Sequence, residues 1–335
     1  MQCNPYGRIS ERCSAVPANL ISLQKGMVVT TSRIEDTQWF RPAKPDYDEL
    51  SAKYFGEETV PVQTEFGALS HCGLHRTNNE DHYSVVRRYR ARDVLLTNMP
   101  KEAYTGHRDE AYGMAVADGI GGAAFGELAS MLALRTCWEL TGKAFKWHFN
   151  PSPTELAEME EATNVYMHLI HQRIQTEARA QGEYRGMGTT LTGALTMGWD
   201  AFIFHVGDSR AYLYREGTLH RLTKDQTLAE SMVAAGLINS VDEAAKRFRN
   251  TLVSCLGGNL HELDVETSHV ELRAGDRLLF CTDGLTDMIS ETNIATIFEK
   301  KASPQETCQS LVDAALAAGG RDNVTVVIGA YSSGQ

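Results

Sequence analysis

The chain has 335 residues, of which 42% are hydrophobic and 22% charged, an ordinary globular composition with ample material for a core. Its 32 basic and 43 acidic side chains give a formal net charge of −11, which disfavours general binding to nucleic acid or anionic membranes. The longest apolar runs fall far short of the roughly 20 residues needed to span a bilayer, and Pro17, Asn19 and Lys25 interrupt the N-terminal apolar stretch, unlike a signal peptide. We therefore expect a soluble, cytoplasmic protein.

The seven cysteines are widely spaced, without a CxxC pair or zinc-ligand spacing, which is typical of reduced structural thiols. Cys281 lies close to a candidate catalytic residue in "CTDGLTD". Its apolar strand setting nevertheless favours an inert core thiol.

Two regions differ in pattern along the chain. Residues 1–62 show neither a sustained helical period nor strand alternation, and Pro42, Pro45 and Pro61 interrupt their second half. We interpret them as an N-terminal extension whose aromatic residues dock on the main domain or on a partner. Residues 63–335 carry the patterns of a folded domain.

β-rich and helical segments arrive in blocks within this domain. The first strands lead to "YGMAVAD", and two helical patterns follow, the second opening with Ser152 and Glu155 in the spacing of a capping box. Later strands include a hairpin turn at Glu216 and Gly217, and a helical flap is predicted at about residues 225–257. Strands in blocks predict an α+β fold with antiparallel sheets and helices packed outside, rather than repeated βαβ units.

Acidic residues recur at strand ends or in short turns beside glycine. Taken singly, each is compatible with a helix cap or a turn. Several strands that each deliver an acid, however, gather carboxylates at one sheet edge, where they repel one another unless a cation compensates. The residues are Glu80 and Asp81 in "RTNNED", Asp118 in "ADGIGG", Asp208 in "VGDSR", Asp283 in "CTDGLTD" and Asp322 in "GRDNVTV".

Oxygen ligands without a histidine or cysteine cluster suit a hard ion such as Mg²⁺ or Mn²⁺ rather than zinc. Two such ions, about 3.5 to 4 Å apart, can bridge a water, lower its pKa toward neutrality and direct its attack on phosphorus. Arg76, four residues before Glu80, supplies the planar fork that grips phosphate oxygens. The pattern predicts hydrolysis of phosphate esters.

Together the motifs resemble the metal-dependent type 2C protein serine/threonine phosphatases, especially their bacterial-type branch. The resemblance implies a sandwich of two antiparallel sheets with helices on both outer faces (α-β-β-α), and hydrolysis of phosphoserine and phosphothreonine on proteins by a water that bridges two Mn²⁺ or Mg²⁺ ions. Its motifs, in order over about residues 64–332, are "RTNNED", "DGIGG", "GMGTTLTG", "VGDSRAYLYREGTLHRLTKD", the flap around "MVAAGLINSVDEAAKRFRN", "CTDGLTD" and "RDNVTVV".

The resemblance also implies a role for each matching residue. Arg76, Asp118 and Asp283 would be catalytic, with Arg76 binding the substrate phosphate. The metal-site roles would be these: Asp118 bridges both ions, the Gly119 carbonyl binds the second, Asp283 and Asp322 hold the first, Glu80 holds a water on the second, and Asp81 supports these ligands. Asp208, with Asp283, matches the pair that holds a third, weaker ion in bacterial members.

Three features depart from the family pattern. Many eukaryotic members have a histidine, the proposed acid for the leaving alcohol, where this chain has Ile120, so water or a metal-bound water must supply that proton here. The sequences "LTKDQT" and "KRFRN" lack histidines that are usual near the flap, which affects the expected substrate preference. The segment at 87–111 is long, and its arginines either attract acidic phosphoproteins or lie on a solvated hairpin; they are Arg87, Arg88, Arg90 and Arg92.

Two other classes of protein are compatible with part of the sequence. Gly119, Gly121 and Ala124 satisfy a GxGxxA nucleotide-binding pattern, but Asp118 would repel pyrophosphate, and the strands that follow are not a second βαβ half. A catalytically silent phosphatase-like binding or scaffold protein is the other alternative, although every acidic position is filled. The expected partners are phosphorylated proteins, including a serine/threonine kinase or its substrates, and the expected oligomeric state is a monomer.

Overall fold

Two five-stranded antiparallel sheets form the framework of the described part of the chain. The computed structural model describes residues 62–91, 93–98, 108–120, 125–144, 151–241, 244, 246–259 and 262–334. The predicted N-terminal extension therefore lies outside the described residues except for Val62, and so do parts of the 87–111 segment and of the flap.

The strand order shows how the sheets are built. One sheet contains, in spatial order, β1 (Val62–His71), β13 (Val324–Ser333), β12 (Arg277–Cys281), β8 (Arg210–Arg215) and β9 (Thr218–Arg221). The other contains β11 (Glu266–Glu271), β7 (Asp200–Val206), β6 (Leu191–Met197), β3 (Arg108–Ala117) and β2 (His82–Ala91). Neighbouring strands pair antiparallel in both. A small third sheet joins β10 (Leu256–Gly257), β5 (Gly188–Thr189) and β4 (Gly119–Ile120).

Helices cover the outer faces of the two large sheets. Ile170 of one long helix packs in a cluster with Phe204 and Val206 of β7, and Phe298 and Leu311 of two later helices pack with Leu279 of β12. The α-helices in the described part of the chain are α1 (Gly126–Ala144), α2 (Pro153–Ala180), α3 (Leu228–Ala234), α4 (Lys246–Arg249), α5 (Asp283–Thr286), α6 (Glu291–Glu299) and α7 (Pro304–Ala317), with a 3-10 turn at Gly182–Tyr184.

The alternation of side chains along β12 explains the layering. Leu278 and Phe280 join the cluster between the two sheets, whereas Leu279 and Cys281 point to the helical layer, because successive strand residues face opposite sides. All four are fully buried, and burial of a large apolar side chain contributes about 1.5–3 kcal/mol. The predicted α-β-β-α sandwich is confirmed.

Local signals in the sequence act as expected. Ser152 and Glu155 form the capping box of α2, with the Ser152 N–H donating to Glu155 Oε2 at 2.8 Å. Glu216 and Gly217 have positive φ angles of 50° and 84° and connect β8 to β9, as a tight hairpin turn requires. The first of the two predicted helical patterns is α1, Gly126–Ala144; residues 145–150 lie outside the described residues.

Two arginines of the 87–111 segment, Arg88 and Arg90, contact the domain itself. Strands β2 and β3 stay paired out to Ala91 and Arg108. Arg88 donates to the Trp138 carbonyl at 3.1 Å and also to the Thr141 carbonyl, near the end of α1, and Arg90 pairs with Asp109 at 2.6 Å. These contacts support the hairpin interpretation. Arg92 lies outside the described residues.

The five described cysteines, Cys72, Cys137, Cys255, Cys281 and Cys308, are free thiols. Burial raises the pKa of the Cys281 thiol to about 12, as expected for an inert core residue. None of the described helices has the length and apolar character needed to cross a membrane.

Candidate active site

The antiparallel registers bring the acidic strand ends to one edge of the sandwich. His82, at the start of β2, pairs with Ala117, at the end of β3, so Asp81 and Asp118 lie beside each other. Cys281, at the end of β12, pairs with Val326 near the start of β13, which brings Asp283 and Asp322 to the same edge. Local pattern placed these acids at strand ends, and strand pairing unites them.

A pocket of about 260 Å³ lies at this edge. Of the residues to which the sequence assigned a role, only Asp81 does not line it. The predicted residues that line it are Arg76, Glu80, Asp118, Gly119, Ile120, Asp208, Asp283 and Asp322; Thr190, Asn250, Leu252 and Asn323 complete its wall.

Burial and mutual repulsion both disfavour the charged form of the carboxyl groups in the pocket. Burial, and then the charges of Asp81 and Asp283, hold the pKa of Asp118 well above its ordinary value. Burial, and then the charges of Asp208 and Asp287, do the same for the pKa of Asp283. Carboxyl groups held this closely are unfavourable in their charged form unless an opposite charge is present.

Asp81 lies behind the pocket and is 4% exposed. Its Oδ2 accepts a hydrogen bond of 2.8 Å from the Thr282 hydroxyl. Its Oδ1 is buried without a hydrogen-bond partner in the described part of the chain. Burial raises the pKa of Asp81 to about 7. A buried carboxylate oxygen without a partner is costly and is a feature that a cation, or a group bound to one, would satisfy.

Two threonines clamp the backbone of Asp118. The Asp118 N–H donates to Thr190 Oγ1 at 2.9 Å, and the Asp118 carbonyl accepts from the Thr190 N–H at 2.9 Å and from Thr189 Oγ1 at 2.8 Å. The Thr190 hydroxyl also lies 2.8 Å from that of Ser209. The "GTT" sequence that ends β5 therefore fixes the backbone at the centre of the pocket.

Glycines allow the walls to approach closely. A Cβ at Gly119 would lie 2.4 Å from the carbonyl oxygen of Gly126 and 2.8 Å from that of Glu80, and a Cβ at Gly126 would lie 2.8 Å from the carbonyl carbon of Gly119. These distances are too short for a side chain, so the sequence "DGIGG" and the start of α1 can pack against the Glu80 segment only with glycine at these positions. Burial raises the pKa of Glu80.

Arg76 is an exposed cation at the rim of the pocket. Its Nη2 lies 2.6 Å from Asp322 Oδ2, and the two side chains are 48% and 38% exposed. This hydrogen bond raises the pKa of Arg76. The guanidinium is accessible to a phosphate entering the pocket.

Asp208 joins the pocket to a second one of about 380 Å³. Burial, and then the charge of Asp225, raise the pKa of Asp208 to about 7. Asp225, the acid of "LTKDQT", binds Arg210 through Oδ1 at 2.9 Å and Oδ2 at 2.7 Å. Asn250 of "KRFRN" lines both pockets and donates to Asp287 at 3.4 Å.

The base of the flap is joined to the Asp208 turn by backbone hydrogen bonds. The Gln226 N–H donates to the Gly207 carbonyl at 2.8 Å, and the Val253 N–H donates to the Gln226 carbonyl at 2.9 Å. A bridge between Thr227 and Leu252 continues this pairing. The flap is thus anchored beside the candidate site.

The donor set fits hard divalent cations by its chemistry. The lining acids offer only oxygen ligands, their charges repel, and Asp81 keeps an unsatisfied buried oxygen; oxygen donors are the ligands that Mg²⁺ and Mn²⁺ prefer. Within the described ranges, no three acidic, histidine or cysteine side chains are close enough to form a ready-made metal cage. A cation would have to draw the carboxylates together.

The sandwich and its acid-lined edge define an α+β protein with a carboxylate site suited to hard cations. The profile of the protein phosphatase 2C family matches residues 101–318, and the chain belongs to this family. It is 35% identical over 250 residues to the serine/threonine protein phosphatase PstP of Mycobacterium tuberculosis, covering 73% of this chain and 45% of PstP.

Other relatives match over more of their own length. The serine/threonine phosphatase stp of Listeria welshimeri is 32% identical over 213 residues, covering 64% of this chain and 82% of the relative. A crystal structure of the PstP catalytic domain in complex with two manganese ions superposes with a TM-score of 0.60 at 30% identity, covering 82% of this chain and 100% of that one. The chain spans less than half of full-length PstP but all of this catalytic domain.

Four wall residues had no assigned role from the sequence: Thr190, Asn250, Leu252 and Asn323. Three of them stood within quoted motifs: Thr190 in "GMGTTLTG", Asn250 at the end of "KRFRN" and Asn323 directly after Asp322. The contacts of Thr190 to Asp118 and of Asn323 to the Arg76 segment cross long sequence separations. The quoted motifs were the sequence signal for these residues, but their contacts with the site become apparent only once the strands are paired.

Proposed function

We propose that the chain hydrolyses phosphoserine and phosphothreonine monoesters on proteins with two bound divalent cations, Mn²⁺ or Mg²⁺. The observation that carries the proposal is the shared pocket of Arg76 with Glu80, Asp118, Asp283 and Asp322. Membership of the protein phosphatase 2C family supports it, and so does the two-manganese structure of the similar PstP domain.

The proposed ligand roles are those that the family resemblance implies, and the placement of the acids around one pocket supports them. Asp118, whose backbone is held by Thr189 and Thr190, would lie between the two ions, with Asp283 and Asp322 on the first ion. The Gly119 carbonyl would bind the second ion, and Glu80 would hold a water on it. Asp81 supports the group from behind, and Asp208 with Asp283 would hold a third, weaker ion. When bound, such an ion pair would supply a water acidic enough to act as the nucleophile toward phosphorus.

The protein itself must orient the phosphate. In the structure Arg76 Nη2 donates to a carboxylate oxygen of Asp322, and a phosphate monoester presents oxygens of similar charge and spacing. Because both side chains are exposed, the guanidinium can turn from Asp322 to a substrate phosphate without unpacking the core.

The natural substrates follow from this chemistry at the level of class. We propose phosphorylated proteins, among them a serine/threonine kinase or its substrates, and a role in signal transduction as a monomer. The free thiols of the described cysteines favour a reducing compartment such as the cytoplasm.

Substitution of Arg76 by alanine tests the proposed phosphate contact. We expect KM for a phosphothreonine peptide to rise about 10- to 100-fold, because a charge-assisted hydrogen bond to phosphate is lost. The free energy of unfolding should change by less than about 1 kcal/mol, since exposed ion pairs contribute little. The measurement is phosphate release in saturating Mn²⁺, with a chelator to remove metal-dependent turnover.

The matched control is Arg173→Ala, which removes an exposed arginine of α2 paired with Glu177 at 3.4 Å. An equal loss in both variants, or an unchanged KM in Arg76→Ala, would contradict the proposed contact. If the wild-type protein releases no phosphate from the peptide, the phosphatase proposal itself fails, and the silent binding protein becomes the better account.

The side chain of Ile120 lines the pocket but carries no proton for the leaving alcohol. We therefore expect turnover of a phosphothreonine peptide to fall more steeply with rising pH than turnover of an aryl phosphate, because an alkoxide needs protonation whereas a phenol with a pKa of about 10 leaves more easily. The measurement is kcat against pH for both substrates. Superimposable profiles would show that the alkyl leaving group is protonated equally well at every pH.

A further inference from the structure

The segment that carries Arg76 and Glu80 has no secondary structure of its own. Residues 72–81, all of them described, connect β1 to β2 as turns and irregular chain. Arg76 is exposed and Glu80 is half-buried. The contacts that hold this segment against the pocket therefore determine the positions of the Arg76 and Glu80 side chains.

Asn323 makes the contacts that hold it. Its Nδ2 donates to the carbonyls of Cys72 and Asn78, each at 2.9 Å, and its Oδ1 accepts from the Glu80 N–H at 2.8 Å. The partners are backbone groups with fixed donor and acceptor roles, so they also fix the orientation of the amide. One side chain thus reaches both ends of the connection.

The position of Asn323 links this segment to a proposed metal ligand. Asn323 is 6% exposed, and its own N–H donates to Asp322 Oδ1 at 2.9 Å. A buried amide whose donors and acceptor are all used is expensive to disturb. Asn323 therefore links the connection between β1 and β2 to Asp322, which lies just before β13.

We propose that Asn323 is a positioning residue that sets the separation between Arg76, Glu80 and Asp322. The inference rests on the proposed phosphatase function and adds a residue to which the sequence motifs assign no role. The asparagine touches neither the reacting phosphate nor the ions in this proposal. It acts through the backbone of residues 72–80, which places the phosphate-binding guanidinium and the Glu80 carboxylate.

Other contacts keep the segment folded when Asn323 is changed. The Leu74 N–H donates to the Gly320 carbonyl at 2.7 Å, and Cys72 Sγ donates to the Arg76 carbonyl at 3.3 Å. Loss of the Asn323 side chain should therefore shift the segment rather than unfold the domain. A displacement of about 1 Å at a functional group can cost on the order of 10²-fold in rate.

The test uses Asn323→Ala and, as a second variant that keeps an amide at the wrong length, Asn323→Gln. We expect KM for a phosphothreonine peptide to rise at least about 10-fold in both. We also expect inorganic phosphate to inhibit at correspondingly higher concentrations and Mn²⁺ to bind about 10-fold more weakly by calorimetry, since groups that orient metal ligands have effects of this size. The control is Gln305→Ala, which loses an amide bonded to both Ala68 backbone groups at 3.1 Å.

A double-variant cycle separates positioning from general destabilisation. Because part of the proposed effect of Asn323 acts through Arg76, Asn323→Ala should raise KM by a smaller factor in the Arg76→Ala background than in the wild type, whereas an unrelated stability effect would add fully. The proposal is overturned if the wild-type protein is active but both Asn323 variants keep KM, phosphate inhibition and Mn²⁺ affinity, or if the two effects simply add. A wild-type protein without phosphatase activity would instead overturn the proposed function.

Discussion

Replacement of Asp283 by asparagine is expected to lower kcat for a phosphothreonine peptide by about 10²- to 10³-fold in saturating Mn²⁺, the cost typical of removing one preorganised electrostatic group. Asp283 follows β12 and opens α5 at the edge where the acids meet. Asparagine has nearly the same shape but supplies no negative charge to a cation. Phosphate release under multiple turnover measures the loss.

The same substitution should stabilise the metal-free protein. Burial and the neighbouring acids hold the pKa of Asp283 well above its ordinary value, so a neutral amide relieves repulsion that the carboxylate experiences. We expect a higher Tm for Asp283→Asn than for wild type in chelator at pH 8. Lost activity together with raised metal-free stability distinguishes a functional acid from a structural one.

Asp313→Asn is the matched control, because Asp313 is an exposed acid of α7 that accepts from Gln309 Nε2 at 2.9 Å. It should leave both activity and metal-free Tm close to those of wild type. Retention by Asp283→Asn of more than a tenth of wild-type kcat would count against the proposed role of Asp283.

A second large effect is expected on the way in which the free energy of unfolding of the metal-free protein changes with pH. The pKa values of Asp81 and Asp208 rise from 3.8 to about 7 on folding, so between these values the folded state binds more protons than the unfolded state. Its stability therefore falls as pH rises through this range. The pKa values of Asp118 and Asp283 also lie well above their ordinary value and act in the same direction. His205, whose pKa falls from 6.5 to about 4, acts in the opposite direction, but only below about pH 6.5.

Thermal unfolding in chelator between pH 6.5 and 8 measures this effect. We expect Tm to fall by about 5 °C or more, because each pKa unit corresponds to about 1.4 kcal/mol and each kcal/mol to roughly 2–4 °C in a domain of this size. Added Mn²⁺ should abolish the fall, since metal binding favours deprotonated ligands. A metal-free Tm that rises over this pH range would show that the acids are not held in repulsion.

Much of the framework could be predicted from local sequence. The Ser152–Glu155 capping box and the Glu216–Gly217 turn each depend on residues next to one another, so their signals are contained in a few letters. The acids at strand ends were recognised in the same way, and the family resemblance indicated that they form one metal site. At these positions, interactions between residues close in sequence determine the local structure.

The contacts that organise the site could not be predicted in this way. The Asn323 amide reaches Cys72 across 251 positions, and Thr190 reaches Asp118 across 72. Such hydrogen bonds exist only once the strands have paired, and the short sheet of β4, β5 and β10 consists of two-residue strands without a periodic pattern. The hydrogen bonds from Arg88 to the carbonyls of Trp138 and Thr141 could not be predicted from the sequence for the same reason.

Mn²⁺ titration calorimetry of the wild-type protein and Asp118→Asn tests the proposal that Asp118 is the shared ligand of two cations at this edge. We expect at least two Mn²⁺ ions per wild-type chain and the loss of paired binding in the variant, with at least one site weakened by about 10-fold or more. Equal stoichiometry and equal affinities in the two proteins would contradict it.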